Sequence, residues 1–233
     1  MAQMKLVSTR SQAESYIKLG KVKVEGRAVT KPGTMVLEGA DIKLAAVEQY
    51  VSRAALKLES VVTLLHLTFK DKIVLDVGSS TGGFTDYALR HGARKVIAVE
   101  LGTDQLHASL RGNPQIELHE QTDILSLKVQ DFDVTPDIVV ADVSFISLRA
   151  LLPHIATLCS KQTDIVAMVK PQFEAGQSDL KHKGVIKNDR IRRDILKAFE
   201  TWSRGYFTVR GQADSDVAGA KGNKERFYLL HKL

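Results

Sequence analysis

Five short apolar runs, KIVLDVG (72–78), KVIAVEL (95–101), QIELHE (115–120), DIVVADV (137–143) and DIVAMVK (164–170), alternate with stretches of helical composition. No other feature constrains the chain as much. Runs this rich in Val and Ile must be buried on both faces, which a mainly parallel sheet with helices on each side provides. The end of the chain breaks the alternation. YFTVRG (206–211) and RFYLLHKL (226–233) read as two strands joined by a loop, an expected antiparallel hairpin. Ahead of the first run, Ser52 opens a helix whose Ala55, Leu58, Val62 and Leu65 share one face, leaving Lys57 off that stripe.

The first 48 residues read as a separate α+β unit. SQAESYIKL (11–19) has helical composition and stops at Gly20. KVKVE (21–25) alternates as a half-buried strand, Gly26 and Pro32-Gly33 mark turns, and DIKL (41–44) begins another strand. So small a unit buries little surface and is expected to lean on a neighbour or a ligand. The division expected is 1–48 for this unit and 49–233 for the larger domain. Two connections exceed a simple turn, 171–186 and 212–224, and the first reads as a lid.

Charge is distributed unevenly. Residues 1–48 hold 8 Lys and Arg against 5 Asp and Glu, residues 71–177 hold 9 against 14, and residues 178–197 hold 7 against 3. A basic periphery around an acidic centre suits a nucleic-acid partner, because cations that neutralise phosphates supply most of the sequence-independent affinity. Cys159 is the single cysteine, so no intrachain disulfide or cysteine-based metal site is expected, and the seven His residues form no metal-binding pair. With no apolar leader and no long apolar run, the expectation is a soluble, cytoplasmic protein.

The sharpest motif ends the first run. Asp76-Val77-Gly78-Ser79-Ser80-Thr81-Gly82-Gly83-Phe84 joins an expected strand to an expected helix, and Glu100 closes the next strand. Small residues there let a ligand approach the backbone, the helix start offers amide donors, and an acidic residue after the second strand can grip a ribose diol. The dinucleotide fingerprint needs a Gly where Ser80 stands. The spacing D-x-G-x-x-x-G-G resembles motif I of the S-adenosylmethionine-dependent methyltransferases.

With that motif, Ser52–Leu58 (SRAALKL), Ala141–Leu148 (ADVSFISL), Val169–Gly176 (VKPQFEAG) and Gly222–Glu225 (GNKE) resemble the TlyA group, also labelled hemolysin A-like. Its catalytic domain is similar to the FtsJ-type ribose 2'-O-methyltransferases. The resemblance spans residues 50–233. It implies a Rossmann-like fold with a mostly parallel seven-stranded sheet and a C-terminal antiparallel hairpin. It also implies an N-terminal RNA-binding domain of the ribosomal protein S-four kind, with most of its first helix lacking before Thr9.

By motif position the resemblance implies a catalytic set of Lys57, Asp142, Lys170 and Glu225. It implies S-adenosylmethionine as cofactor and ribosomal RNA as partner. Lys170 would face the 2'-hydroxyl, as general base if neutral or as stabiliser of the developing alkoxide if charged. Donor contacts are expected from Asp76, Gly78, Ser79, Thr81, Gly82, Glu100 and Asp123. Phe84 would either pack on the donor or seal its helix, and Asp123 would either meet the adenine or cap a helix.

RNA contacts are expected from Arg10, Lys18, Lys21, Lys23, Arg27, Arg53, Lys181, Lys183, Arg190 and Arg193, the last two along one helix side with Lys197. At 6% aromatic content, a structured RNA held by its backbone fits better than a splayed strand. The buried-helix setting read for Cys159 argues against cytosine-C5 chemistry, and no [DN]-P-P-[FY] signature of amino methylation is present. A methyltransferase acting on a small molecule or a protein stays open at this point, as do two readings of other kinds. One is an RNA-binding or ribosome-assembly factor without catalysis. The other is a pore-forming hemolysin, against which the lack of a long apolar or amphipathic segment counts.

Overall fold

The computed structural model describes residues 1–7, 10–45, 50–175, 184–219 and 221–233. Seven strands form the main sheet: β4 (Ile73–Val77), β5 (Lys95–Val99), β6 (Ile116–His119), β7 (Ile138–Ala141), β8 (Asp164–Val169), β9 (Phe207–Asp214) and β10 (Arg226–Lys232). Their order is β6-β5-β4-β7-β8-β10-β9. The first five pair in parallel, while β10 runs antiparallel to both β8 and β9. This is the expected mostly parallel sheet with its C-terminal hairpin. The hairpin strand β9 runs on to Asp214, past the expected end at 211, so the expected loop from 212 is shorter than read.

Alternation within the strands sends side chains to two helical layers. Ile73, Leu75 and Val77 pack with α4 (Leu148–Thr157) and α6 (Asp189–Ser203). Val74 faces the other way, with α2 (Arg53–Val62) and α3 (Gly83–Arg90). Both layers are closed by fully buried residues, so β4 is buried throughout. Ser52 caps α2, its hydroxyl accepting from Ala54 N, an arrangement worth about 1 kcal/mol.

Strand order reverses between β4 and β7. In an open α/β sheet such a switch point leaves a crevice beyond the carboxyl ends of the strands, and ligands bind there. The motif loop after β4 and Asp142 after β7 border that crevice.

The N-terminal unit comprises α1 (Arg10–Lys18) and a small antiparallel sheet in the order β2 (Arg27–Val29), β1 (Val22–Val24), β3 (Ile42–Leu44). Glu25 and Gly26 both have positive φ, 49° and 76°, and form the two-residue turn that folds β2 back on β1. The sequence reading lacked β2. The unit does lean on its neighbour: Val7, Ala13, Tyr16 and Val22 share a buried cluster with Leu56 of α2 and Val217. Lys21 also pairs with Glu59 of α2. Among the described residues, no helix is long and apolar enough to cross a membrane.

Candidate active site

Site geometry starts with the turn after β4. Gly78 has φ 78°, and a Cβ there would lie 3.0 Å from the Asp142 carbonyl oxygen. Only glycine lets the turn close this tightly on the next strand end. Gly78 and Ser79 both donate to Val99 O, which fixes the loop to β5. Glu100 braces it from the other side, accepting from Ser80 N (2.8 Å) and Gly102 N (2.7 Å).

Two cavities share Gly78, Ser80 and Asp142 in their walls. The smaller, 140 Å³, reaches Ser52, Asp76, Ser79, Thr81 and Phe84. The larger, 650 Å³, is bordered by Glu100, Leu101, Asp123, Leu125, Val143 and Phe145. That volume is typical of a cofactor site.

Asp76 is buried on the α2/α3 side of β4. Its Oδ2 accepts from the Thr85 hydroxyl at 2.6 Å, while its Oδ1 and the Ser79 hydroxyl are buried with no protein partner. Burial, opposed by the Thr85 hydrogen bond and reinforced by the Asp142 charge, pushes the Asp76 carboxyl up to about 7. A buried carboxylate oxygen and a buried hydroxyl without partners beside a cavity mark a place for a polar ligand. S-adenosylmethionine fits this donor set: an acceptor for its ammonium, hydroxyl and amide groups for its carboxylate, and Glu100 beside the wide cavity for a ribose.

Of the other expected donor contacts, Thr81 is exposed at the smaller cavity. Gly82 begins α3, where a Cβ would run into Leu106 and Leu110, so its role here is packing. Phe84 is buried against Phe227, 6.1 Å between ring centroids, and also touches the smaller cavity. Asp123 caps a short 3-10 turn, accepting from Leu125 N at 2.9 Å, and borders the wide cavity as well.

The four residues of the expected catalytic set gather at the ends of neighbouring strands. Lys170 Nζ lies 2.5 Å from Asp142 Oδ1 and donates to the Ser144 hydroxyl at 2.8 Å. Lys57 Nζ lies 2.6 Å from Glu225 Oε2, their side chains only 10% and 3% exposed. Arg226 pairs with Val169 in the β10–β8 register, so Glu225 and Lys170 are the next residues beyond that pair. The site therefore holds two buried or half-buried ion pairs of opposite construction, one lysine from a helix and one from a strand end.

Sequence reasoning missed Ser144, although it stands inside a quoted block. Arg192 falls within the basic segment 178–197. Here it is buried, its guanidinium 2.6 Å from Asp214 Oδ1 and donating to Lys224 O at 3.0 Å. Arg226 binds the same carboxylate, and the two guanidinium partners hold the Asp214 carboxyl below the usual range against the effect of its burial. Asn223, also buried, accepts from Ile186 N and donates to Gly184 O. These bonds seat the segment leading into Glu225.

Among the expected RNA contacts, Arg190 and Arg193 are exposed on α6, as is Lys197. Lys18, Lys23 and Arg27 are exposed on the N-terminal unit, and Arg10 pairs with Glu14 at 3.4 Å. Lys21 is engaged by Glu59, and Arg53 is half-buried. Lys181 and Lys183, with half of the expected lid, lie outside the described residues.

Comparison with known proteins identifies the family. A family model for an FtsJ-like methyltransferase matches residues 50–232, and an S4 domain model matches residues 1–42. The chain is 36% identical over 229 residues to the 16S/23S rRNA (cytidine-2'-O)-methyltransferase TlyA of Mycobacterium tuberculosis, covering 97% of this chain and 85% of that protein. It is 39% identical over 203 residues to the 23S rRNA (cytidine-2'-O)-methyltransferase TlyA of Campylobacter jejuni, covering 85% and 77%. A solved hemolysin structure from Streptococcus thermophilus superposes with a TM-score of 0.75 at 36% identity, covering 97% of this chain and 84% of that one. Aeropyrum pernix fibrillarin, solved with bound S-adenosyl-L-methionine, shares the fold at 15% identity, with a TM-score of 0.53 and coverage of 76% and 74%. With a family model matched from Tyr50 onward and relatives matched along nearly the whole chain, this protein belongs to the FtsJ-like methyltransferase family, in its TlyA group, and carries an S4 domain at its N-terminus.

Proposed function

We propose that this chain transfers a methyl group from S-adenosylmethionine to a ribose 2'-hydroxyl of ribosomal RNA, with residues 49–233 as the catalytic domain and residues 1–48 as an RNA-binding unit. The observation that carries this reading is the paired arrangement of Lys57 with Glu225 and Lys170 with Asp142 at one sheet edge, beside the cavity that Gly78 opens. A ribose hydroxyl is a poor nucleophile at neutral pH, so it must be held in line and relieved of its proton.

When bound, S-adenosylmethionine supplies an electrophilic sulfonium methyl. Asp76, Ser79 and the Gly78–Ser80 amides would hold its amino-acid end, and Glu100 its ribose, with Asp123 bordering the adenine side. Lys170 meets the acceptor oxygen, the Lys170–Asp142 pair takes up the hydroxyl proton as that oxygen is methylated, Ser144 holds the Lys170 Nζ, and Lys57 with Glu225 orients the acceptor sugar. Exposed Arg190 and Arg193 on α6, half-buried Arg53, and Arg10, Lys18, Lys23 and Arg27 offer contacts to RNA phosphates. Lys21, tied to Glu59, joins the unit to its neighbour. The relatives' names support the substrate class, since both TlyA proteins are named for cytidine 2'-O-methylation of ribosomal RNA.

Lys170→Ala tests the reading. It is expected to bind S-adenosylmethionine as the wild type does in calorimetry and to lose transfer of tritiated methyl groups to ribosomal RNA. Near-normal transfer would remove Lys170 from its role.

A further inference from the structure

Glu174 is a carboxylate that the reaction as described does not use, yet its side chain is only 1% exposed. It lies on the short helix α5 (Pro171–Glu174), four residues after Lys170. Its Oε2 accepts from the Ser147 hydroxyl at 2.6 Å and its Oε1 from Leu148 N at 2.7 Å, with Arg149 Nε 3.4 Å from Oε2. These partners belong to the start of α4, at the far end of the loop that begins with Asp142. The loop after β8 is thereby tied to the loop after β7.

Helix capping accounts for only part of this tie. Ser147 caps Arg149 N with its own hydroxyl and Glu174 takes the Leu148 N–H, but the bond to the Ser147 hydroxyl and the approach of Arg149 satisfy no further helix N–H. What the tie does restrain is the turn between Asp142 and Ser147. Phe145 sits there at φ 67°, a left-handed conformation that an aromatic residue adopts only when its surroundings impose it, and its side chain is 92% exposed. Burial of the ring therefore does not hold the turn. It is held at one end by Asp142 N donating to Val77 O and at the other by Glu174, with Phe173 meeting Phe145 at 5.4 Å between ring centroids. Inside the turn lie Asp142 and Ser144, which both engage the Lys170 Nζ, and Phe173 of α5 lies under the same Nζ, 6.0 Å from it to the ring centroid.

We propose that Glu174 is a positioning residue for methyl transfer, locking the Asp142–Ser147 turn to the Lys170 loop so that Lys170, Asp142 and Ser144 keep one geometry. The proposal rests on the catalytic reading given above. Burial pushes the Glu174 carboxyl above the usual range, while its bonds to Ser147 and Leu148 and the nearby Arg149 charge oppose that shift.

The experiment compares Glu174→Ala and Glu174→Gln in the full chain, measuring methyl transfer to ribosomal RNA and binding of S-adenosylmethionine by calorimetry. Glu174→Ala is expected to lower kcat by about tenfold or more, while KM for RNA and the donor Kd stay within about threefold, because loosened alignment acts on the transition state. Glu174→Gln can still accept from Leu148 N and reach the Ser147 hydroxyl, and is expected to recover most of the rate. The proposal is overturned if Glu174→Ala keeps kcat within about twofold, or loses kcat and donor affinity in equal proportion, the pattern of a general folding defect. Should Glu174→Ala fail to fold, Ser147→Ala removes one strand of the tie. A reduced kcat with intact donor binding there supports the proposal, and an unchanged kcat overturns it. Lys170→Ala serves as the control: turnover there sinks the catalytic reading itself, whereas full loss there with an unchanged Glu174→Ala rate sinks this inference alone.

Discussion

Breaking the Lys57–Glu225 pair separates two effects that a single substitution confounds. The pair is 2.6 Å apart, with side-chain exposures of 10% and 3%, so neither charge can turn to water when the other is removed. Truncating one partner of so buried a pair costs about 3–5 kcal/mol. For a chain of this size that corresponds to a fall in Tm of roughly 6–20 °C. Glu225→Gln and Lys57→Met should each show this loss in urea unfolding followed by the fluorescence of Trp202, the single tryptophan.

The double variant Lys57→Met with Glu225→Gln carries no stranded charge and should recover much of the stability, giving a coupling above about 2 kcal/mol in the cycle. Methyl transfer should not recover with it, and the double variant should stay at least about a hundredfold below wild type. A coupling below about 0.5 kcal/mol would refute the burial argument. A stable and active double variant would refute the catalytic one.

Three further outcomes follow from the same site. The Asp76 carboxyl, raised to about 7 in the folded protein, gives stability that is complete below its unfolded value and is lost as pH climbs through about 7. The unfolding free energy of the wild type from urea titration should therefore fall relative to Asp76→Asn between pH 4 and 7, by an amount on the order of 4 kcal/mol, and parallel curves would contradict this. Gly78→Ala places a Cβ 3.0 Å from the Asp142 carbonyl oxygen at a φ of 78°. It should lower Tm by roughly 2–8 °C from about 1–2 kcal/mol of backbone strain and weaken donor binding in calorimetry more than about tenfold. Arg190→Ala with Arg193→Ala should make the slope of log affinity for RNA against log salt less negative by about 1.5, with donor binding unchanged; an unaltered slope places the RNA elsewhere.

Periodicity and residue type made the layered sheet legible. The Val and Ile runs at 72–78, 95–101, 137–143 and 164–170 form inner strands as expected, whereas QIELHE (115–120) is the edge strand β6, half-buried or exposed along its length. The glycine turn after Asp76 marked the crevice from the sequence alone. Features that depend on pairing were not legible. The β2 strand is three residues long and exposed or half-buried, too short for alternation to register. Gly211 looked like the end of a strand, but it lies beside an irregularity in the β9–β10 register and the strand continues to Asp214. Arg192 carried the signature of a surface cation, and only the fold turns it inward to Asp214. Glu174 likewise gave no sign of its reach to α4, since its partners are 26 and 27 positions away in sequence.

The two halves of the Lys57–Glu225 pair come from opposite extremes of the catalytic domain, a helix that precedes the whole sheet and the mouth of the hairpin that finishes it. A chain whose central strands have assembled could already cradle a cofactor yet lack this contact. If Glu225 acts as proposed, fraying of that hairpin alone would silence transfer while the cofactor stayed bound, and turnover would report on the complete fold rather than on the pocket.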